Sequence, residues 1–582
     1  MASSSADPFE GFLKPSKDEE TYYFSGLAGS PRLITKTSTT PWETHTDTAS
    51  VAKRISTVGD HHLVHKWCPE LRTGIVRALS EPGLEWDCFY PIRIGSDANP
   101  AKHPVVLLVC LLAPSQGPQP WEPAMLAALR CRALLREYDV HDVEVEMKQS
   151  EFVPMATSAS ATLASYIDWA YSQPLPIAGT RDLDMAEING NVMTLLPFPG
   201  CRIEQEKGRN DESKAAAGTM GLYLRLAHTD QSASPGAIYG LTSRHVTVGK
   251  RVVVNQDLRS PSSRIIHDND PSLRMLTSGP SCVYNASTGL HSAGRLMKAL
   301  LRDSQLLSSN NPDDPHKSEL CDMHRASIGY VEELQDALKQ VEAADTTQRT
   351  LGTVAYSPGH GIDNHGNFKD WALVQMADAD RRGLSNNVYM AGHTTYTMFR
   401  EEAAAVMEPS QLSSFALNLD ADGFLQLHGR DMPPQPPFAG VDRTSHLVAK
   451  RGQTTSLRYG ITNEIEAVRR TPFGDEEPLV SLHLLVVDFV GGHFSQPGDS
   501  GSSVFDCSGR VIGIVDGGEK VPDVSSQQIL PERLTQLTAS VILDSGNANP
   551  GENPSPDVTF VSPIQWILDD MREFTGYEPE IM

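Results

Sequence analysis

The chain has 582 residues and a formal net charge of −24, an acidity that repels phosphate backbones and anionic lipid and so argues against nucleic acid or a membrane as partner. With 39% hydrophobic and 21% charged residues it has the make-up of a globular protein. Its length exceeds one ordinary core, so two or three domains are expected.

The first residues, Met1 to Asp7, offer neither a basic nor an apolar leader, and no run reaches membrane-spanning length. Eight cysteines are spread without paired spacing. Both features point to an intracellular, cytoplasmic protein with reduced thiols.

Residues 1–45, rich in Ser, Thr, Pro and charge, read as a flexible lead-in. Residues 46–155 read as a small α/β domain. Leu71, Ile75, Val76 and Leu79 share a helix face, and Val105 to Leu112 is an apolar run suited to a buried strand. A helix is expected from Pro120 to Tyr138, then a strand alternating at Val140, Val143, Val145 and Met147. His61-His62-x-x-His65 has helical spacing, but no carboxylate or cysteine cluster accompanies it in sequence, so no metal is expected. Residues 156–215 read as a linker with a leading strand at Val192 to Leu196.

From 216 onward the pattern is β. Alternating strands run through Gly218 to Leu226 and through Gly236 to Val246, the second ending at His245. Residues 285–345 interrupt them with two helical stretches, Gly289 to Leu307 and Leu320 to Ala344, which read as an inserted helical hairpin. Strands return at Arg349 to Val354 and at Lys369 to Val374, with Asp370 directly ahead of an apolar run. Asn418-x-Asp420-x-Asp422-Gly423 opens like a calcium loop, but Gly429 stands where a bidentate Glu is required, so a turn is expected.

The most informative stretch is Gln496-Pro497-Gly498-Asp499-Ser500-Gly501-Ser502-Ser503-Val504-Phe505. A serine hydroxyl attacks a carbonyl only with a histidine base, a carboxylate to orient that base, and N–H donors for the oxyanion. Glycines beside Ser500 allow the tight turn that brings backbone N–H groups forward. A Ser508-Gly509 hairpin follows, rather than the amphipathic helix of the Gly-x-Ser-x-Gly elbow, and position 502 is Ser.

Gly-Asp-Ser-Gly at 498–501, Leu241-Thr242-x-x-His245, the Asp-x-Ala-Leu of 370–373, and Lys450-x-Gly452-x-Thr454-Thr455 resemble the motifs of chymotrypsin-like serine proteases, the last those of the bacterial and fungal type. The resemblance spans residues 190–575, the helical insertion excepted, and takes in the closing strand at 559–564 and the helix to Phe574. The chain order His, Asp, Ser agrees with it. It implies two six-stranded β-barrels packed face to face, with His245 as base, Asp370 as orienter and Ser500 as nucleophile. The rival carboxylate, Asp363, has no strand after it. Gly498 and Ser500 would donate the oxyanion-hole N–H groups.

The resemblance further implies a protein or peptide substrate and no cofactor. Phe494 takes the position lining the primary pocket, which favours an apolar or small side chain there. Asp516-Gly517-Gly518 falls on the strand that pairs with substrate backbone, its glycines leaving the pocket mouth open. Asp516 would raise the pKa of Asp370. Ser456 stands where glycine is usual. Asp499 is expected to pair with an internal Arg or Lys.

The expected function is therefore a regulatory serine endopeptidase that cuts its own linker, giving a fragment starting between 155 and 217. The alternative is a weakly active or inactive protease-fold scaffold, binding protein partners through its N-terminal domain or helical hairpin.

Overall fold

The structure, a computed structural model, describes residues 9, 11–42, 52–97, 99–113, 120–154, 157–158, 199–205, 216–227, 237–248, 257, 274–277, 350–377, 384–390, 419, 424–429, 447–473, 476–488, 493–520 and 558–582, with scattered positions from 295 to 336. The expected leading strand at 192–196 and the aspartate-rich turn at 418–423 lie essentially outside the described residues. So does most of the helical hairpin. Those of its residues that are described are helical, and Lys298 Nζ lies 3.1 Å from Glu332.

The N-terminal elements are α1 (Lys17–Tyr22), β1 (Leu33–Lys36), β2 (Arg54–Ser56), α2 (Leu63–Lys66), α3 (Pro69–Ser80), β3 (Trp86–Gly95), β4 (Val105–Leu111), α4 (Trp121–Glu137), β5 (Glu144–Gln149), β6 (Glu151–Pro154) and β7 (Thr157–Ser158). After these come β8 (Arg202–Gln205), β9 (Ala216–Thr219), β10 (Leu222–Ala227), β11 (Ile238–Ser243), α5 (Arg244–Thr247), β12 (Arg274–Thr277), β13 (Thr350–Tyr356), β14 (Trp371–Met376), β15 (Asn387–Tyr389) and β16 (Phe424–Gln426). The last third holds β17 (Leu447–Gly452), β18 (Ser456–Thr462), β19 (Ala467–Phe473), β20 (Glu476–Asp488), β21 (Ser503–Asp506), β22 (Val511–Lys520), β23 (Val558–Pro563), α6 (Ile564–Thr575) and β24 (Glu578–Ile581).

The chain is mostly β-sheet. Among the described residues one sheet has 13 strands, a second has 9, and β15 and β16 form a separate pair. β4 and β5 are parallel, joined through α4, and every residue of β4 is buried. That burial on both faces explains the unbroken apolar run: Leu107 and Val109 pack toward α3 and α4, while Val106 and Leu108 pack with Leu33, Leu485 and Phe560. The stretch expected as a flexible lead-in contributes α1 and β1, and β1 pairs with β5, burying Leu33 and Ile34. Its polar composition conceals two apolar residues that fill the sheet edge.

The α/β region is hydrogen-bonded into the same sheet as the C-terminal strands through β3 and β19, with Phe89 opposite Val468. Within that sheet β20, β18, β17, β21, β22 and β23 pair in turn, and β23 pairs back onto β20. A single apolar core joins the two large sheets. It contains Leu222, Leu241 and Leu373 from the second, Ala449, Tyr459, Phe505 and Ile514 from the first, and Ile567, Leu568 and Met571 from α6. No helix among the described residues is long and apolar enough to cross a membrane.

Candidate active site

β11 pairs with β14 so that Ser243 lies opposite Trp371, and the chain then turns into the short α5. This register sets His245, two residues past β11, beside Asp370, one residue before β14. His245 Nδ1 is 2.5 Å from Asp370 Oδ2, and the His245 amide donates to Oδ1 at 3.0 Å. The amide of Arg244 donates to the Asp370 carbonyl at 3.0 Å. Both carboxylate oxygens are thus engaged by one residue, which fixes the imidazole plane. Burial pushes the Asp370 carboxyl up, but the His245 imidazole, by charge and hydrogen bond, outweighs it and holds the carboxyl below the usual range. His245 Nε2 is buried with no hydrogen-bond partner among the described residues.

Asp363 serves a different purpose. Its Oδ1 accepts from the amides of His365 and Asn367 at 2.9 and 2.8 Å, closing the loop ahead of β14.

Ser500 sits between two left-handed glycines, Gly498 at φ 110° and Gly501 at φ 89°. A Cβ at 498 would strike the Thr454 hydroxyl and the Gln453 amide, and one at 501 would strike the Thr242 hydroxyl and the Thr219 carbonyl. The loop therefore lies flat against the wall carrying Thr242 and Ser243, the residues that lead into His245. The Thr219 amide donates to the Ser500 carbonyl at 2.8 Å, and Thr242 Oγ1 donates to the Thr219 carbonyl at 2.8 Å. Ser500 Oγ donates to the Asp516 carbonyl at 3.0 Å. The amides of Gly498 and Ser500 make no hydrogen bond among the described residues.

Asp499 is held by Lys450 at 2.7 Å, by the Thr455 hydroxyl at 2.6 Å, and by the amides of Thr454, Thr455 and Gln496. The Lys-x-Gly-x-Thr-Thr run is thus a cradle for the residue beside the serine. Ser456, at the end of that run, adopts φ 59°.

Three surroundings depart from expectation. Asp516 is raised by its own burial, partly offset by His483, whose Nδ1 lies 3.1 Å away, and by the Ser562 hydroxyl at 2.6 Å. It does not lift Asp370, which His245 holds down. Gly517 and Gly518 do not border an open edge: β6 pairs there, Pro154 opposite Gly517 and Val153 opposite Gly518. His61 and His62 do have a carboxylate, since Asp142 Oδ2 and Oδ1 come within 3.1 and 3.4 Å of them from a distant part of the chain.

Phe494 is buried with Val448, Leu484, Val486, Val504, Val515 and Val561. Glu519, next along β22, is gripped by Lys148 of β5 at 2.5 Å, Tyr90 of β3 at 2.5 Å and the Cys110 thiol at 3.0 Å. Burial raises the Glu519 carboxyl, and Lys148 outweighs that and holds it low. The N-terminal strands thereby brace the strand that carries Asp516. Neither Lys148 nor His483 was marked by any local pattern, because each meets its partner only through long-range strand pairing.

No protein-family model matches the chain, and no curated protein matches it.

Proposed function

We propose that the chain is a serine endopeptidase of the chymotrypsin-like type, acting through His245, Asp370 and Ser500. The observation that carries the reading is the two-point grip of Asp370 on His245, which leaves Nε2 as the imidazole's one available nitrogen on the wall that the Ser500 loop abuts. A carboxylate on Nδ1–H selects the tautomer in which Nε2 can accept a proton.

In the proposed reaction Ser500 Oγ turns from the Asp516 carbonyl to His245, attacks the substrate carbonyl, and passes its proton to Nε2. Asp370 stabilises the imidazolium, the amides of Gly498 and Ser500 receive the oxyanion, and His245 returns the proton to the leaving amine. Water then releases the acyl group. The closed ring from β20 through β23 supports one six-stranded barrel, and we read the second sheet as the counterpart of the other.

The scaffold reading has one observation in its favour: Ser500 Oγ bonds to a carbonyl rather than to His245. Short unstructured peptides carrying single apolar residues separate the two. The peptidase hydrolyses them and its Ser500→Ala variant does not, whereas equal inertness of both chains favours the scaffold.

A further inference from the structure

On the peptidase reading above, we propose that β6 is a built-in inhibitor: Glu151–Pro154 occupy the stretch of β22 along which a substrate's backbone would pair, and Phe152 fills the subsite for an aromatic side chain of the substrate. β22 has two edges. β23 takes one, pairing along Gly513 to Gly518. On the other, β21 pairs along Val511 to Ile514 and β6 along Gly517 to Lys520. Between those two partners the edge is met by the Ser500 loop, since the Gly501 amide donates to the Val515 carbonyl at 2.9 Å and Ser500 Oγ to the Asp516 carbonyl at 3.0 Å. The nucleophile is therefore bonded to β22 at the point where β21 stops and β6 begins.

The polarity of β6 matches that of a substrate. Glu151, Phe152, Val153 and Pro154 lie opposite Lys520, Glu519, Gly518 and Gly517 in turn, so the C-terminal end of the strand faces Asp516. The acyl half of a peptide must approach in the same sense, because it ends in the carbonyl that the serine attacks. Gly517 and Gly518 are also the residues that the family resemblance assigns to substrate backbone. Strand addition of this kind draws affinity from the main chain and selectivity from pockets for side chains.

One such pocket is built around Phe152. Its amide donates to Asp87, its ring meets Phe560 edge-on at 5.3 Å, and the Arg469 guanidinium lies over the ring, 3.4 Å from its centre. Arg469 Nε is buried with no hydrogen-bond partner among the described residues. The same guanidinium lies 5.6 Å from the ring of Phe368, two residues before Asp370. The socket is thus made by β3, β19, β23 and the segment leading to the carboxylate that orients His245. Covering a sheet edge requires backbone pairing alone; an aromatic and cationic socket beside the triad adds a choice of side chain.

A tethered occupant competes at an effective concentration on the order of millimolar. The apparent affinity for substrate is then reduced by the fraction of molecules in which β6 has left the edge. Self-inhibition of this kind raises KM and leaves kcat at saturating substrate alone. Peptides with an aromatic side chain at the place of Phe152 are the ones that displace β6 best.

The test is the hydrolysis of short unstructured peptides by the full chain and its Phe152→Ala and Phe152→Leu variants, with melting curves and fluorophosphonate labelling in parallel. The blocked tetrapeptide acetyl-Glu-Phe-Val-Pro-amide is then added to each chain. All three chains are expected to label. In Phe152→Ala, kcat/KM should rise about tenfold through KM, the change that about 1.4 kcal/mol of lost hold gives, with a smaller rise in Phe152→Leu. The tetrapeptide should compete with substrate on Phe152→Ala, and its counterpart with alanine for phenylalanine should not. Should Phe152→Ala fail to fold, Phe152→Leu carries the same comparison. A wild type that labels while no folded variant lowers KM, or a tetrapeptide that does not compete, overturns the inference and spares the peptidase reading. A wild type that neither labels nor hydrolyses, with folded variants equally inert, overturns both.

Discussion

Lys450 Nζ lies 2.7 Å from Asp499 Oδ2, and neither side chain has any exposure to solvent. The pair joins β17 to the Ser500 loop, and removing its cation leaves a buried carboxylate without its counter-charge, held only by the Thr455 hydroxyl and three amides. Lys450→Met is therefore expected to cost about 3–5 kcal/mol, read by urea unfolding, and to abolish labelling of Ser500 even where the chain remains folded. A variant with wild-type stability would show that the hydroxyl of Thr455 and the three amides suffice to hold Asp499.

The same pair sets a pH limit. Burial pulls the Lys450 ammonium down to about 8, against the opposing charge of Asp499. Above that pH the lysine is neutral in the folded protein but still charged in the unfolded chain up to its ordinary 10.5. The unfolded chain binds more protons across this window, so this group makes stability rise rather than fall with pH. Activity should decline with a midpoint near pH 8 as the cradle loses its ion pair, while the melting temperature shows no matching drop. Parallel rate and melting profiles check this, and activity flat to pH 10 would contradict it.

Asp370→Asn presents the wrong hydrogen-bonding partner to His245 Nδ1 and is expected to lower turnover by about 10⁴-fold. Asp363→Asn, in a residue that only closes a loop through the His365 and Asn367 amides, should keep turnover within a few-fold. The reverse ranking in a peptide-hydrolysis assay would exchange their roles.

Ser456 holds φ 59° at the β17–β18 turn, in a region where a side chain crowds the backbone. Ser456→Gly should relieve that crowding and raise stability by about 1 kcal/mol, less the extra entropy glycine gives the unfolded chain. Chemical denaturation reads the change directly, and a loss of stability would mean that the serine side chain makes a compensating contact.

What the sequence made legible was local. Val105 to Leu112 marked β4 within one residue, and the alternation ending at His245 marked β11 and the turn beyond it. Asp370 could be preferred to Asp363 because a buried strand follows it directly. The partner of Asp499 was expected as some internal cation, and Lys450 lies within the very motif that suggested the family. What stayed hidden depends on contacts between strands that are not neighbours in the chain, 33 residues apart for His483 and Asp516 and 371 for Lys148 and Glu519. Nothing local to Asp516 announces His483, nothing local to Glu519 announces Lys148, and nothing local to Gly517 announces Pro154. β1 is hidden for a different reason, since two apolar residues among polar ones carry too short a period to register.

The proposed catalysis requires Ser500 to be a nucleophile activated by His245, and covalent labelling measures that most directly. The wild type, treated with a fluorophosphonate and digested, should carry the phosphonyl mass on the peptide containing Ser500, with labelling lost in Ser500→Ala and slowed by orders of magnitude in His245→Ala. A folded wild type that takes up no label, or one labelled equally after Ser500→Ala, would contradict it.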